Sequence, residues 1–135
     1  MLELNTEIEG RMASFGTLRD RVVQNGYYFG GGWDYHKGSF DSILHREGGE
    51  TIYLRVPFEV YEGELDDYNT SIKFRKPYVI KHVVNTGLDK DASSLVSGSF
   101  NQFQEPLDRD AQIHDKSRWE TAGEFAIEEF LQHLE

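Results

Sequence analysis

The stretch that decides the fold runs from Gly26 to Tyr61 and reads GYYFGGGWDYHKGSFDSILHREGGETIYLRVPFEVY. Three of its segments, residues 27–35, 39–44 and 51–61, are rich in aromatic and β-branched residues. Turns that contain glycine bound each segment, which is typical of β-strands. The stretch therefore predicts an antiparallel meander of three strands.

The third segment shows the clearest strand pattern. Its apolar residues occupy every second position, so one face of the strand is apolar. This series is Ile52, Leu54, Val56, Phe58 and Val60. An antiparallel strand of this kind lies in a sheet with one face against a hydrophobic core.

The turns predict how the three segments pair. A two-residue loop at Lys37 and Gly38, in which glycine supplies a positive φ, places Asp34 opposite Asp41. A second turn over residues 45–50 places Asp41 opposite Arg55. This register gathers the apolar side chains on one face, and a slip of one residue would turn them to the other. The opposite face then carries a row of Asp34, Asp41 and Arg55.

The length and composition describe one folded domain. A chain of 135 residues is the size of an ordinary domain and buries roughly two-thirds of its unfolded surface. A hydrophobic content of 38% with 13% aromatic residues is typical of globular proteins. The absence of cysteine excludes disulfides and thiolate sites. We therefore expect a single α+β domain over residues 1–135.

The charge and the N-terminal composition bear on partners and location. A net charge of −10 repels phosphate backbones and anionic membranes, so we expect neither nucleic acid nor membrane as a partner. Residues 1–10 are polar and acidic, and no apolar run approaches the ~18 residues of a membrane span. We expect a cytoplasmic protein.

Further strands follow the meander. Residues 70–76 and 78–84 predict two strands separated by a proline, which marks a bend or a sheet edge. Residues 62–69 form an acidic loop, residues 97–103 a short last strand, and residues 8–15 either a short strand or coil. The chain thus predicts an antiparallel sheet of about five strands.

Two helices are expected on one face of this sheet. Thr17 with Asp20 resembles a capping box, and Asn25-Gly26 ends a short helix over residues 18–24. A second capping box, Ser117 with Glu120, begins the last helix. Its apolar stripe is Trp119, Ala122, Ala126, Ile127, Phe130, Leu131 and Leu134. The predicted core consists of Trp33, Tyr35, Phe40, Leu54, Val56, Phe58, Trp119, Ile127 and Phe130.

General catalytic and metal-binding motifs are missing from the sequence. The run Gly30-Gly31-Gly32 lacks the spacing of a phosphate-binding loop, so we interpret it as a bulge or a close approach of another chain or side chain. The five histidines are scattered, and no pair lies at i, i+4 on a helix. We predict no cofactor, no metal site and no catalytic residue.

The predicted row of charges is the strongest candidate for a binding site. Two opposed carboxylates repel unless an arginine, a shared proton or a cation lies between them. The row is therefore either a ligand site or a structural ion pair, and His82 is either a structural imidazole or a ligand contact. The candidate ligand-binding residues are Asp34, Asp41, Arg55, Glu59 and His82.

Several strings of residues, spread over nearly the whole chain, are specific to one family. They are GGWDY at 31–35, FD at 40–41, YLRVPF at 53–58, GELD at 63–66, PYVIKHV at 77–83 and NQFQEP at 101–106. On these strings the chain resembles the YugN-like family of small bacterial proteins. The resemblance implies a cytoplasmic α+β protein and brings no established activity.

Three functions are compatible with these observations. The first is a non-enzymatic binding or protein-interaction module, expected to form a homodimer, since tyrosines lie beside charges on the second sheet face. The alternative is an enzyme acting on a small anionic substrate, with a carboxylate pair as general acid and base and Arg55 as the substrate anchor. The third is a protein that docks a basic surface through the acidic side of its last helix, which carries Glu120, Glu124 and Glu128.

Overall fold

The computed structural model describes residues 1–31, 33–84 and 110–134. These residues form an α+β fold, with a seven-stranded antiparallel sheet and two helices. The strands are β1 Leu2–Glu3, β2 Met12–Ser14, β3 Tyr28–Phe29, β4 Lys37–Glu47, β5 Glu50–Glu62, β6 Ser71–Phe74 and β7 Tyr78–Val83. The helices are α1 Phe15–Val23 and α2 Lys116–Gln132.

The central strand of the sheet is β5. One edge of β5 pairs with β4, and the other pairs with β7 along its first half and with β6 along its second half. The break between β6 and β7 lies beside Pro57, whose carbonyl accepts a hydrogen bond of 2.9 Å from the Arg75 N–H. Proline has no N–H to donate toward this edge, which explains why the ladder is interrupted there.

The hairpin of β4 and β5 has the predicted register. Asp41 lies opposite Arg55, and Phe40 lies opposite Val56. The strands are joined through Gly48, whose φ of 59° a residue with a side chain rarely adopts. The alternation read from residues 51–61 is therefore confirmed, with one face of β5 buried in the core.

The predicted register of the first hairpin is wrong. Tyr28, not Asp34, lies opposite Asp41, because β3 contains only Tyr28–Phe29. Asp34 instead forms a bridge with Lys37, and the chain turns at the two residues between them. The Asp34 carboxylate accepts hydrogen bonds from the His36 and Lys37 N–H groups at 2.7 and 2.9 Å. This side-chain-stabilised turn comes before the glycine that suggested the other loop.

The early turn removes two aromatic residues from the predicted core. Trp33 is 45% exposed and Tyr35 is 51% exposed, so their assignment to the core is wrong. The other predicted core residues are buried. They pack with the apolar sides of α1 and α2 on one face of the sheet, as predicted.

The sheet has more strands than the five expected. The additional strands are β1 and β2, which pair with the outer edges of β7 and β6. Strands of two and three residues are too short to show a repeating pattern of apolar residues. For residues 8–15, the sequence was compatible with either a short strand or coil. The predicted strand at 97–103 lies outside the described residues.

The helix ends also differ from prediction. α1 begins at Phe15, three residues before the expected start, and α2 begins at Lys116. Asp115 precedes α2 with a φ of 55°, so Ser117 lies inside the helix and is not its cap. Neither of the two described helices is long and apolar enough to cross a membrane.

Candidate functional site

The sheet face turned away from the core carries a polar row across four strands. The register places Tyr28 of β3, Asp41 of β4, Arg55 of β5 and Tyr78 of β7 side by side. Residues opposite each other in antiparallel strands point to the same face of the sheet. We call these four residues the polar row.

Asp41 is the buried acid of the polar row, with a side chain that is 3% exposed. Arg55 donates to it in a fork, from Nε to Oδ1 and from Nη2 to Oδ2, both at 3.1 Å. The Ser39 hydroxyl donates to Oδ1 at 3.2 Å. A buried carboxylate is costly unless it is paired and hydrogen-bonded, and this one has both kinds of partner.

Gly30 leaves the space that the Asp41 carboxylate occupies. A Cβ atom at position 30 would lie 2.5 Å from Ser39 Oγ and 2.8 Å from Asp41 Oδ2. A Cβ atom at Gly31 would meet no atom within 4 Å. For Gly30, the predicted close approach of a side chain is therefore confirmed.

Arg55 connects the buried acid to two tyrosines. Its Nη2 also donates to the Tyr53 hydroxyl at 3.3 Å, and its Cζ lies 5.3 Å from the centroid of the Tyr53 ring. Tyr78 lies opposite Arg55 across β5 and β7. Burial alone would lower the pKa of Arg55, but the hydrogen bond and charge of Asp41, helped by Tyr78, outweigh burial and raise it. The guanidinium is therefore held protonated and in one orientation.

His82 reaches this network from β7 through Tyr53. The Tyr53 hydroxyl hydrogen-bonds with the imidazole, and the two rings meet edge to face with centroids 4.6 Å apart. Burial raises the pKa of Tyr53 to about 12, although the charge of Arg55 acts in the opposite direction. Burial, and next the charge of Asp41, also raises the pKa of Tyr28. Both phenols are neutral at physiological pH.

Two adjoining depressions lie on this face of the sheet. The larger has a volume of about 630 Å³ and is lined by residues that include Tyr28, Arg46, Tyr53 and His82. The smaller has a volume of about 370 Å³ and is lined by residues that include Lys37, Pro57, Glu59, Arg75 and Tyr78. Gly31 and Arg55 line both. Depressions of this size hold small molecules in many proteins.

The structure brings together three of the five residues proposed from the sequence. Asp41 and Arg55 are in direct contact, and His82 joins them through Tyr53. Glu59 lies beside the smaller depression, where its carboxylate accepts a hydrogen bond of 2.9 Å from Arg75. Asp34 lies in the turn, so the predicted carboxylate pair is wrong. The ligand-binding role of all five residues stays a prediction.

Sequence reasoning missed several residues of this face. No general binding or catalytic motif contains Ser39, Arg46 or Tyr78, and only their register against β5 reveals them. Among residues 1–31, 33–84 and 110–134, no three acidic or histidine side chains are close enough to hold a metal ion.

Comparison with known proteins identifies relatives of the chain. The model of the YugN-like family matches residues 3–134. The uncharacterized protein YugN of Bacillus subtilis (strain 168) is 32% identical over 115 residues, which cover 84% of this chain and 84% of that protein. The crystal structure of the uncharacterized conserved protein YugN from Geobacillus kaustophilus HTA426 is 30% identical, with a TM-score of 0.57, and the match covers 75% of this chain and 87% of that one. The chain therefore belongs to the YugN-like family.

Proposed function

We propose that this protein is a non-enzymatic binding module that holds a small organic anion on the second face of its sheet. The observation that carries the proposal is the position of Arg55 between two adjoining depressions, with its guanidinium fixed by the buried Asp41. A group that is already ordered loses little conformational entropy when a ligand binds.

Positive charge collects on this face although the chain has a net charge of −10. Lys37 and Arg75 line the smaller depression, and Arg46 lines the larger one. The two acids that line the depressions are already neutralised, Asp41 by Arg55 and Glu59 by Arg75. Within the described residues, Lys37 and Arg46 have no ion-pair partner. The charges of these two cations are therefore not cancelled by a neighbouring acid, and they attract an anion to this face.

The tyrosines indicate what else the ligand contains. Tyr28, Tyr53 and Tyr78 line the depressions around Arg55. Aromatic rings with polar tips contribute apolar contact area together with directional hydrogen bonds. A ligand with a planar ring and a carboxylate or phosphate group matches this combination.

The protonation states favour binding over catalysis. A general acid or base works best when its pKa lies near the working pH. The raised pKa values of Tyr53, Tyr28 and Arg55 keep all three groups protonated at neutral pH. Groups with such pKa values are poorly matched to proton transfer at neutral pH, which supports a role in orienting a ligand. The enzymatic alternative also required a second carboxylate opposite Asp41, where Tyr28 lies.

Thermal unfolding with ring-containing anions tests the proposal. Benzoate, 4-hydroxybenzoate and adenosine monophosphate are the probes, each titrated against the protein at fixed salt. A ligand present at 100 times its Kd stabilises the folded state by about 2.7 kcal/mol, so we expect at least one probe to raise the Tm saturably.

Two charge-matched variants localise the binding. Arg46→Gln removes a cation that lines the larger depression, and we expect it to weaken binding about tenfold, which corresponds to about 1.4 kcal/mol. Lys116→Gln removes an exposed cation from the first turn of α2, and we expect unchanged binding. Equal responses of the two variants, or no saturable shift with any probe, would show the proposal to be wrong.

A further inference from the structure

A pair of exposed aromatic rings lies at the connection between β3 and β4. Trp33 is 45% exposed and Tyr35 is 51% exposed, and their rings meet edge to face with centroids 5.9 Å apart. Trp33 also packs on Phe29, at 5.6 Å between centroids. We call Trp33 and Tyr35 the aromatic turn. Half of each side chain faces solvent, although the rings support each other.

Hydrogen bonds hold the backbone of the aromatic turn in place. The Asp34 N–H donates to the Lys37 carbonyl at 2.9 Å, in addition to the two bonds that the Asp34 carboxylate accepts. The Tyr35 carbonyl accepts a hydrogen bond of 3.2 Å from the Leu65 N–H. The His36 carbonyl accepts one of 2.8 Å from the Val60 N–H. A surface ordered in this way loses little entropy when it binds.

An acidic rim lies beside the aromatic turn. The backbone hydrogen bond between Tyr35 and Leu65 places the loop that follows β5 next to the aromatic turn, and Leu65 itself is buried. Glu62, Glu64 and Asp66 flank it and are exposed. Over the described part of the chain, none of these three carboxylates has an ion-pair partner. Exposed rings and uncompensated negative charge therefore occur together.

We propose that the aromatic turn and its acidic rim bind a lysine- or arginine-bearing segment of a partner protein. Cations bind over the faces of tryptophan and tyrosine rings, and both residue types are frequent at the energetic centres of protein interfaces. The nearby acids add electrostatic attraction for a basic segment. A second copy of this chain fits the surface poorly, because its net charge of −10 would face the same acids.

This surface is independent of the proposed anion site. Trp33 packs on Phe29, which pairs with Phe40 on the core side of the sheet, whereas Arg55 lies on the other side. The two surfaces also prefer opposite charges. Failure of either proposal would leave the other unaffected.

The first experiment follows the two indole N–H signals of the full chain by NMR. The probe is a blocked ten-residue peptide of alternating arginine and glycine, added at moderate salt. Trp119 is buried and serves as the internal reference, and Trp33→Leu assigns the two signals. We expect a saturable shift of the Trp33 signal with the Trp119 signal unchanged. No Trp33 shift at millimolar peptide would overturn the proposal, as would a shift that depends on protein concentration alone.

Three variants then separate specific docking from attraction by net charge. We expect Trp33→Leu to weaken peptide binding at least tenfold, and the rim triple Glu62→Gln, Glu64→Gln, Asp66→Asn to weaken it about tenfold. The control triple Glu120→Gln, Glu124→Gln, Glu128→Gln removes the same charge from exposed positions of α2 and also tests the alternative that a basic partner docks on this helix. We expect less than a twofold change. Equal weakening by the two triples would overturn the proposal. So would full affinity in a folded Trp33→Leu protein.

Discussion

Successive residues of the hairpin formed by β4 and β5 point to opposite faces of the sheet. The side chains on these two faces are held together by different interactions. On the core face, Phe40 and Phe58 pack at 5.2 Å between ring centroids, within a continuous aromatic and aliphatic cluster. On the other face, Asp41 and Arg55 are joined by two directed hydrogen bonds. Apolar burial is non-directional and shared among many neighbours, whereas a buried charge depends on its own partner. The two faces should therefore respond differently to loss of a single side chain.

The largest effect is expected on the core face, from Phe40→Ala. Phe40 is fully buried, so truncation leaves a cavity and should lower the free energy of unfolding by about 3–5 kcal/mol. Phe125→Ala removes the same atoms from a residue that is 62% exposed and should change it by less than about 0.5 kcal/mol. Urea unfolding measures the free energy of both variants, and an unchanged m-value shows that only stability has changed. Similar losses for the two variants would contradict the assignment of the core face.

On the polar face, the largest effect is expected from Arg55→Met. This change leaves the buried Asp41 without its counter-charge and should cost about 3 kcal/mol. Arg75→Met breaks the exposed pair with Glu59 on the same face and should cost less than about 1 kcal/mol. Urea unfolding near neutral pH compares the two. If Arg55→Met is no more harmful than Arg75→Met, the polar row does not stabilise the fold.

A smaller effect is expected from a change at Gly30, in the β3–β4 connection, whose backbone packs against the polar row. Gly30→Ala places a methyl group against Ser39 and Asp41, and we expect a loss of about 1–3 kcal/mol. Gly31→Ala adds the same group in open space and should change stability by less than about 0.5 kcal/mol. Neither glycine has a positive φ, so backbone strain does not enter the comparison. Thermal unfolding of both variants would show whether the carboxylate fills this space in solution.

The smallest effect is expected in alkaline solution. Burial raises the pKa of Tyr53 to about 12, while a tyrosine in the unfolded chain titrates near about 10. The unfolded state therefore releases its proton first, so the contribution of Tyr53 to stability falls as the pH rises from about 10 to about 12. Burial raises the pKa of Tyr27 as well, so part of the total fall belongs to that residue. Tyr53→Phe should make this fall shallower, whereas Tyr61→Phe, at a residue 66% exposed, should not. Equal slopes for wild type and Tyr53→Phe, from urea unfolding at several pH values, would count against burial of the phenol.

Local features of the fold were predictable from the sequence. β4 and β5 are neighbouring segments whose apolar residues must share one face, and this requirement places Asp41 opposite Arg55, although a register shift between Ile43 and His45 separates the pair from the glycine turn. The buried stripe of α2 follows from helical spacing alone, and Trp119, Ile127 and Phe130 are buried as expected. Both patterns repeat over ten or more residues, which makes them recognisable without any distant contact.

The remainder depended on contacts between distant residues. β1 pairs with β7, which lies far from it in the sequence. A strand of two residues is too short for its side-chain pattern to predict it. Asp34 was misplaced because its own carboxylate stabilises a turn that competes with the glycine turn two residues later. The space beside Gly30 is needed only because the Asp41 carboxylate fills it after the strands have paired.

The sequence by itself determined that the chain forms an α+β sheet with one apolar face and that an aspartate and an arginine pair across its central hairpin. Side-chain alternation in neighbouring segments that share one apolar face encodes both facts. Only the tertiary structure decided which residues surround that pair, because Tyr28, Tyr78 and His82 reach it from other strands. It also decided that Trp33 and Tyr35 face solvent, since β3 ends at Phe29 and the early turn leaves both residues outside the paired strands.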